Sequence, residues 1–185
     1  MSMLSGSLFR PGRGQRVARY VAAYVNGTAV QRGDFVIWDT TAPTSQGSSG
    51  VLAGQTLLAN DFIFVTHSTL ATLSVGKQAG LVEGTRLQDR DTVVALANDS
   101  IAIVQTWGVF ETHCQVDDTS VTAGDLLLCS STVAGELVAI AAHATTSTVT
   151  ADGYVVGIAL TADAVYTRGT VTTEDGCTAF IRCDW

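Results

Sequence analysis

Ser74-Val75-Gly76-Lys77 sets the only lysine of the chain close behind a serine. A lysine placed there can accept the serine proton, the device of β-lactamase-type acyl transfer. The companion Ser-Asp-Asn and Lys-Thr-Gly motifs are absent, so the pair lacks the partners that chemistry needs. No Gly-x-Ser-x-Gly elbow occurs, Gly76-Lys77 lacks the frame of a phosphate-binding loop, and Gly12-x-Gly14 is too short for a dinucleotide turn. His67, His113 and His143 lie far apart, and Cys114, Cys129, Cys177 and Cys183 form no Cys-x-x-Cys pair. His113 and Cys114 are adjacent, but neighbours on a strand point to opposite faces and do not readily share a metal. No metal and no cofactor are expected. The carboxylate pairs Asp89/Asp91, Asp117-Asp118 and Glu174-Asp175 sit at predicted turns, where such residues bond backbone amides and solvate loops. Arg32-Gly33-Asp34 spells an integrin-type tripeptide, yet Ala123-Gly124-Asp125 repeats its Gly-Asp in the same setting, which marks turn chemistry. Asn26-Gly27-Thr28 and Asn98-Asp99-Ser100 are glycosylation sequons, of consequence only in a secreted chain. No group of residues amounts to an active site. A binding or structural role is therefore expected, and no enzymatic one.

The 185 residues carry a net charge of -7, with 46% hydrophobic and only 15% charged residues. No apolar run reaches the length of a membrane-spanning helix, and the N-terminus does not read as a secretory signal. The cysteines are accordingly expected to be buried thiols in a reducing compartment. Charge is uneven: residues 1–33 carry +5 and residues 34–185 carry -12. Residues 1–16 are Gly, Ser and Arg around Phe9 and Pro11, with no period that would build a core. They read as an extended arm that orders against a partner. Arg10, Arg13, Arg16 and Arg19 suit an acidic protein surface. Nucleic acid is not the expected partner, because few residues are available for stacking and the body is acidic. No membrane partner is expected either.

The elements that must position these residues are strands. Val and Thr are abundant and β-branched, which favours pleated structure. Residues 17–25 read as a strand, Asn26-Gly27 as a hairpin turn, and Thr28–Val30 as the start of the next strand. Gly33-Asp34 turns into the strand Phe35–Trp38. Residues 39–50 form a polar loop. Phe62–Thr66 reads as a strand, and Leu70–Leu81 as helix or strand. Further strands are expected at Thr92–Ala97, Ile101–Trp107, Val109–Val116, Leu126–Cys129, Glu136–Ala141, Tyr154–Leu160, Gly169–Thr173 and Cys177–Cys183, with Glu174-Asp175-Gly176 as a turn. Short strands separated by frequent turn signals indicate an all-β sandwich or small barrel.

An internal echo subdivides it. Val30-x-x-Gly33-Asp34 precedes one strand, and Val121-x-x-Gly124-Asp125 precedes another. Val93–Ala97 similarly resembles Val155–Ala159. The organisation expected is an arm at 1–16 and two related β modules at 17–115 and 116–185.

Together these segments carry a resemblance. A basic Gly/Arg arm is followed by Ala-Tyr-Val-Asn-Gly-Thr-Ala-Val-x-x-Gly-Asp, Val-Val-Ala-Leu-Ala, Gly-Val-Phe-Glu, Val-x-x-Gly-Asp-Leu-Leu, Val-Val-Gly-Ile-Ala-Leu and a closing Thr-Ala-Phe-Ile strand. The chain resembles the capsid decoration, or cement, proteins of tailed bacteriophages over roughly residues 20–185. The resemblance implies a small β-rich clamp, made in the host cytoplasm and resident on the virion exterior. Its implied partners are the major capsid protein, neighbouring decoration subunits and itself as a homotrimer. Residues 1–20 would then lie across the shell, with Phe9 anchored in an apolar pocket and Arg10, Arg13, Arg16 and Arg19 paired with carboxylates. Asn26, Gly27, Gly33, Asp34, Gly124 and Asp125 would be structural turns. The rival readings are a head-fibre or tail adhesin that binds host glycan and a β-fold hydrolase using Ser74 and Lys77.

Overall fold

The computed structural model describes residues 18–27, 29–39, 64–67, 78–84, 100–117, 121–130, 133–140, 155–168 and 172–183. Expectations placed on Phe9, Arg10, Arg13, Arg16, Ser74, Lys77 and Thr92–Ala97 lie outside these residues.

Every described element is a strand: β1 (Arg19–Val25), β2 (Phe35–Asp39), β3 (Phe64–His67), β4 (Gln78–Gly84), β5 (Ile101–Gln115), β6 (Leu126–Cys129), β7 (Leu137–Ile140), β8 (Val155–Ala159), β9 (Ala164–Arg168) and β10 (Thr172–Arg182). The protein is all-β, as its composition predicts. Pairing runs β1-β3-β2-β4-β5-β10-β8-β6-β7, β1 also pairs with β5, and β9 adds to β10. Strands β1, β3, β2, β4 and β5 thus form a ring of five, which satisfies both edges of each strand.

The second half of the chain repeats most of this pairing. Val25 lies parallel to Val65, and Val116 lies parallel to Leu137. Ala23 faces Ala102, and Cys114 faces Cys177. Phe35 faces Leu81 with a bulge after Val36, and Leu126 faces Ile158 with a bulge after Leu127. The end of β5 is therefore to the second module what β1 is to the first. One long strand, β5, serves both units. The sheet order β2-β4-β5-β10-β8-β6 reads as a palindrome about the β5–β10 pair.

Each module encloses its own core. The first contains Ala23, Val25, Val36, Val65 and Val104. Their counterparts Cys114, Val116, Leu127, Leu137 and Ala179 belong to the second. Volume is exchanged rather than added: Trp38 packs on the first core where Cys129 sits in the second, Ala23, Val36 and Val65 give way to the larger Cys114, Leu127 and Leu137, and Val104 gives way to the smaller Ala179. Two glycines make the rings possible. A Cβ on Gly80 would collide with the Gln105 carbonyl oxygen, and one on Gly157 with the Phe180 carbonyl oxygen. Both sit at the same place in their modules, where β4 or β8 crosses closest to the next strand.

Several local expectations need correction. Asn26-Gly27 does not make a hairpin: β1 pairs with β3 and β5, not with the segment that follows it, and Val30 is only an isolated bridge residue. Glu174-Asp175-Gly176 is not a turn but the interior of β10, held by pairing to β9. β9 itself was not foreseen. Among the described residues, the counterpart of Val156-Gly157-Ile158-Ala159 is Ala79-Gly80-Leu81-Val82.

Candidate functional site

The residues singled out in sequence divide into turns that build the fold and an arm root that faces outward. The two Gly-Asp turns share one set of bonds. The Asp34 carboxylate accepts the Gln31 amide at 2.7 Å, and the Asp125 carboxylate accepts the Thr122 amide at 2.7 Å. The Asp34 and Asp125 amides return bonds of 3.1 Å to the Gln31 and Thr122 carbonyls. The glycine of each turn has positive φ, +92° at Gly33 and +100° at Gly124, a conformation that costs an L-residue roughly 1–2 kcal/mol. Each glycine amide then bonds the neighbouring strand, Gly33 to Val82 and Gly124 to Ala159.

The turns differ in what surrounds them. Asp34 is buried and also meets His67 Nε2 at 2.7 Å. Arg32 pairs with Glu83 at 3.0 Å. The Arg32-Gly33-Asp34 tripeptide is thus engaged within the fold and is not displayed as a ligand. Asn26 donates through Nδ2 to Asp39 at 2.5 Å, and Gly27 has φ +83°, so this pair also serves structure.

Arg19 opens β1, and its guanidinium lies 5.7 Å over the Trp107 ring. Such a contact contributes roughly 0.5–1 kcal/mol at an exposed site. Trp107 in turn meets Phe180 edge-on, with ring centroids 5.3 Å apart. Trp107 is register partner to both Arg19 and Arg182. The root of the arm is therefore held at the seam between the modules by the Arg19 guanidinium over Trp107, which packs on Phe180. The structure places Arg19 alone of the predicted arm residues, since the other four lie outside the described residues.

Sequence reasoning did not find the apolar face beside this root. Leu126, Ile158, Phe180 and Val109 are successive register partners across β6, β8, β10 and β5. Leu126 is 41% exposed and Ile158 40%, with Leu160 close by at 44%. Their counterparts in the first module, Phe35 and Leu81, are 0% exposed. Burying such a side chain completely is worth roughly 1.5–3 kcal/mol, a gain that Leu126 and Ile158 leave partly unrealised. The sequence signal was faint: strands β6 and β8 are apolar on both faces rather than alternating.

All four cysteines are buried, and none of them forms a disulfide. The thiols of Cys114 and Cys177 lie 3.6 Å apart across β5 and β10. Hydrogen bonding to Cys177, then burial, raises the Cys114 thiol above its ordinary range, which makes it a poor nucleophile. Among the described residues, no group of three or more His, Cys, Asp or Glu is placed to hold a metal.

No protein-family model matches the chain, nor does any curated protein or solved structure.

Proposed function

We propose that the chain is a structural virion protein that binds the outer surface of a phage capsid and stabilises the shell, acting without enzymatic turnover and as trimers. The observation that carries this reading is the exposed aliphatic row of Leu126 and Ile158 beside a basic arm root, on a body whose described elements are all paired strands. Rigid strands, low surface charge and an apolar face suit a module that covers and grips neighbours. Few long charged side chains need be immobilised on contact, which limits the entropy lost. Many copies, each with a modest interface, add up when they engage one shell together. The glycan-adhesin reading gains less support, because sugar rings stack on aromatic platforms and the exposed large apolar residues among those described are aliphatic.

The arm is the part that reaches the capsid. Arg10, Arg13, Arg16 and Arg19 pair with carboxylates of the shell, and Phe9 fills an apolar pocket. The test is sedimentation of the purified chain with DNA-filled heads of the phage that encodes it. The full chain is expected in the particle pellet. A chain lacking residues 1–16 is expected in the supernatant, with an unchanged circular-dichroism spectrum. Undiminished binding by the truncated chain rejects the arm, and absence of the full chain from the pellet rejects the capsid role.

A further inference from the structure

The two modules differ at one facing pair in a way that packing does not require. Where Ala23 faces Ala102 across β1 and β5, Cys114 faces Cys177 across β5 and β10. All four residues are buried. Two methyl groups fill this place in the first core, so the fold asks there only for small side chains. The second module sets two thiols there, with their sulfurs 3.6 Å apart. The Cys114 thiol also donates to the Cys177 carbonyl at 3.1 Å.

This geometry lies close to that of a cross-link. Facing residues of an antiparallel pair hold their Cβ atoms roughly 4.5–5.5 Å apart, and a disulfide spans about 3.5–4.5 Å between the same atoms. The sulfurs have to approach from 3.6 Å to about 2.05 Å. The pairing shifts register between Cys177 and Ala179, so the ladder beside the pair is already disrupted and yields more readily than a regular one. The other two thiols point elsewhere: Cys129 to the Ser130 carbonyl at 3.6 Å and Cys183 to the Val156 carbonyl at 3.8 Å.

We propose that Cys114 and Cys177 are a latent cross-strand disulfide, which a small peroxide closes in the folded protein. The Cys177 thiolate attacks one peroxide oxygen and the O–O bond breaks. The departing hydroxide takes up the thiol proton and leaves as water, and Cys177 becomes a sulfenic acid. The Cys114 sulfur then attacks that sulfur. The S–S bond forms, the S–O bond breaks, and the hydroxyl leaves with the Cys114 proton as a second water. Two thiols and one peroxide thus give one disulfide and two waters, with two electrons passing from sulfur to oxygen. Cys177 is the attacking sulfur because a hydrogen bond from Cys114 lowers its thiol below the ordinary value. The bond joins residues 63 apart and encloses β6, β7, β8 and β9 in one loop. It stabilises by restricting the unfolded chain. None of this depends on the capsid reading, since it concerns the chain by itself.

The test treats the reduced full chain, folded and freed of reductant, with a small excess of hydrogen peroxide. The product is then unfolded for thiol counting and digested for peptide mapping. The wild type is expected to lose half of its four thiols, to become lighter by two hydrogens, and to yield the Cys114 and Cys177 peptides joined. Its thermal midpoint is expected to rise by roughly 5–15 °C and to fall back on reduction with dithiothreitol. Cys129→Ala/Cys183→Ala is expected to show the same link and the same shift. Cys114→Ala/Cys177→Ala, which copies the first module, is expected to show neither. The wild-type peptide map decides the pairing on its own should a variant fail to fold. Four thiols persisting in the treated wild type overturn the proposal. So does a link that uses Cys129 or Cys183, or a Cys114–Cys177 link that leaves the midpoint unchanged or lowers it.

Discussion

Cys129 occupies the place in the second core that Trp38 holds beside the first, and the exchange has a measurable consequence. Burial pushes its thiol from 9.0 up to about 12, because a thiolate cannot be solvated there. The folded protein therefore holds this proton over a range where the unfolded chain releases it. The stabilising contribution is complete below pH 9 and is lost as pH rises from 9 towards 12. We expect urea midpoints of the wild type to fall across that window more steeply than those of Cys129→Ala, with the two curves parallel below it. A parallel pair of curves throughout contradicts the assignment. The burial of all four cysteines was legible from their residue type and from the absence of metal-binding spacing. The facing of Cys114 and Cys177 was not, because it depends on which strands meet across 63 residues of chain.

At the scale of elements, the Gly-Asp turn was the most legible feature of the sequence. Its bonds join residues three apart, so a local pattern contains all of its physics. The two turns nevertheless differ in environment, and substitution separates them. Gly124→Ala meets open space and incurs only the positive-φ strain, roughly 1–2 kcal/mol. Gly33→Ala incurs the same strain and also drives a methyl against the His113 backbone. Overpacking of that kind adds roughly another 1–3 kcal/mol. Denaturant unfolding is expected to rank the variants wild type, Gly124→Ala, Gly33→Ala in falling stability, and equal losses would refute the difference between a crowded turn and an open one. Elements defined by distant partners were misread for one reason. Asn26-Gly27 carries a strong hairpin signal, but β1 is claimed by β3 and β5. Glu174-Asp175-Gly176 has turn composition, but β9 supplies a ladder that keeps it extended. The likeness of Val93–Ala97 to Val155–Ala159 rests on hydrophobic identity alone, whereas the constraint that Gly157 shares with Gly80 is a glycine beside a neighbouring carbonyl.

For the whole molecule, two modules with similar pairing present unequal surfaces. One outer face is buried by the chain's own continuation, and the other remains apolar and exposed. The all-β class could be read from composition, and the shared Gly-Asp turn from its local pattern. The inequality could not, since Phe35, Leu81, Leu126 and Ile158 are all aliphatic or aromatic strand residues in sequence, and only the fold shows which pair is covered. That surface, with the basic leader rooted at Arg19 and Trp107, is the physical basis for reading the chain as a shell-stabilising protein. Stabilisation of the shell itself can be measured. Phage heads filled with DNA, bare or saturated with the full chain, are heated while DNA release is followed with an intercalating dye. Release is expected at a higher temperature from the coated heads, by several degrees. The same release temperature for bare heads and for heads shown to be coated would contradict the account.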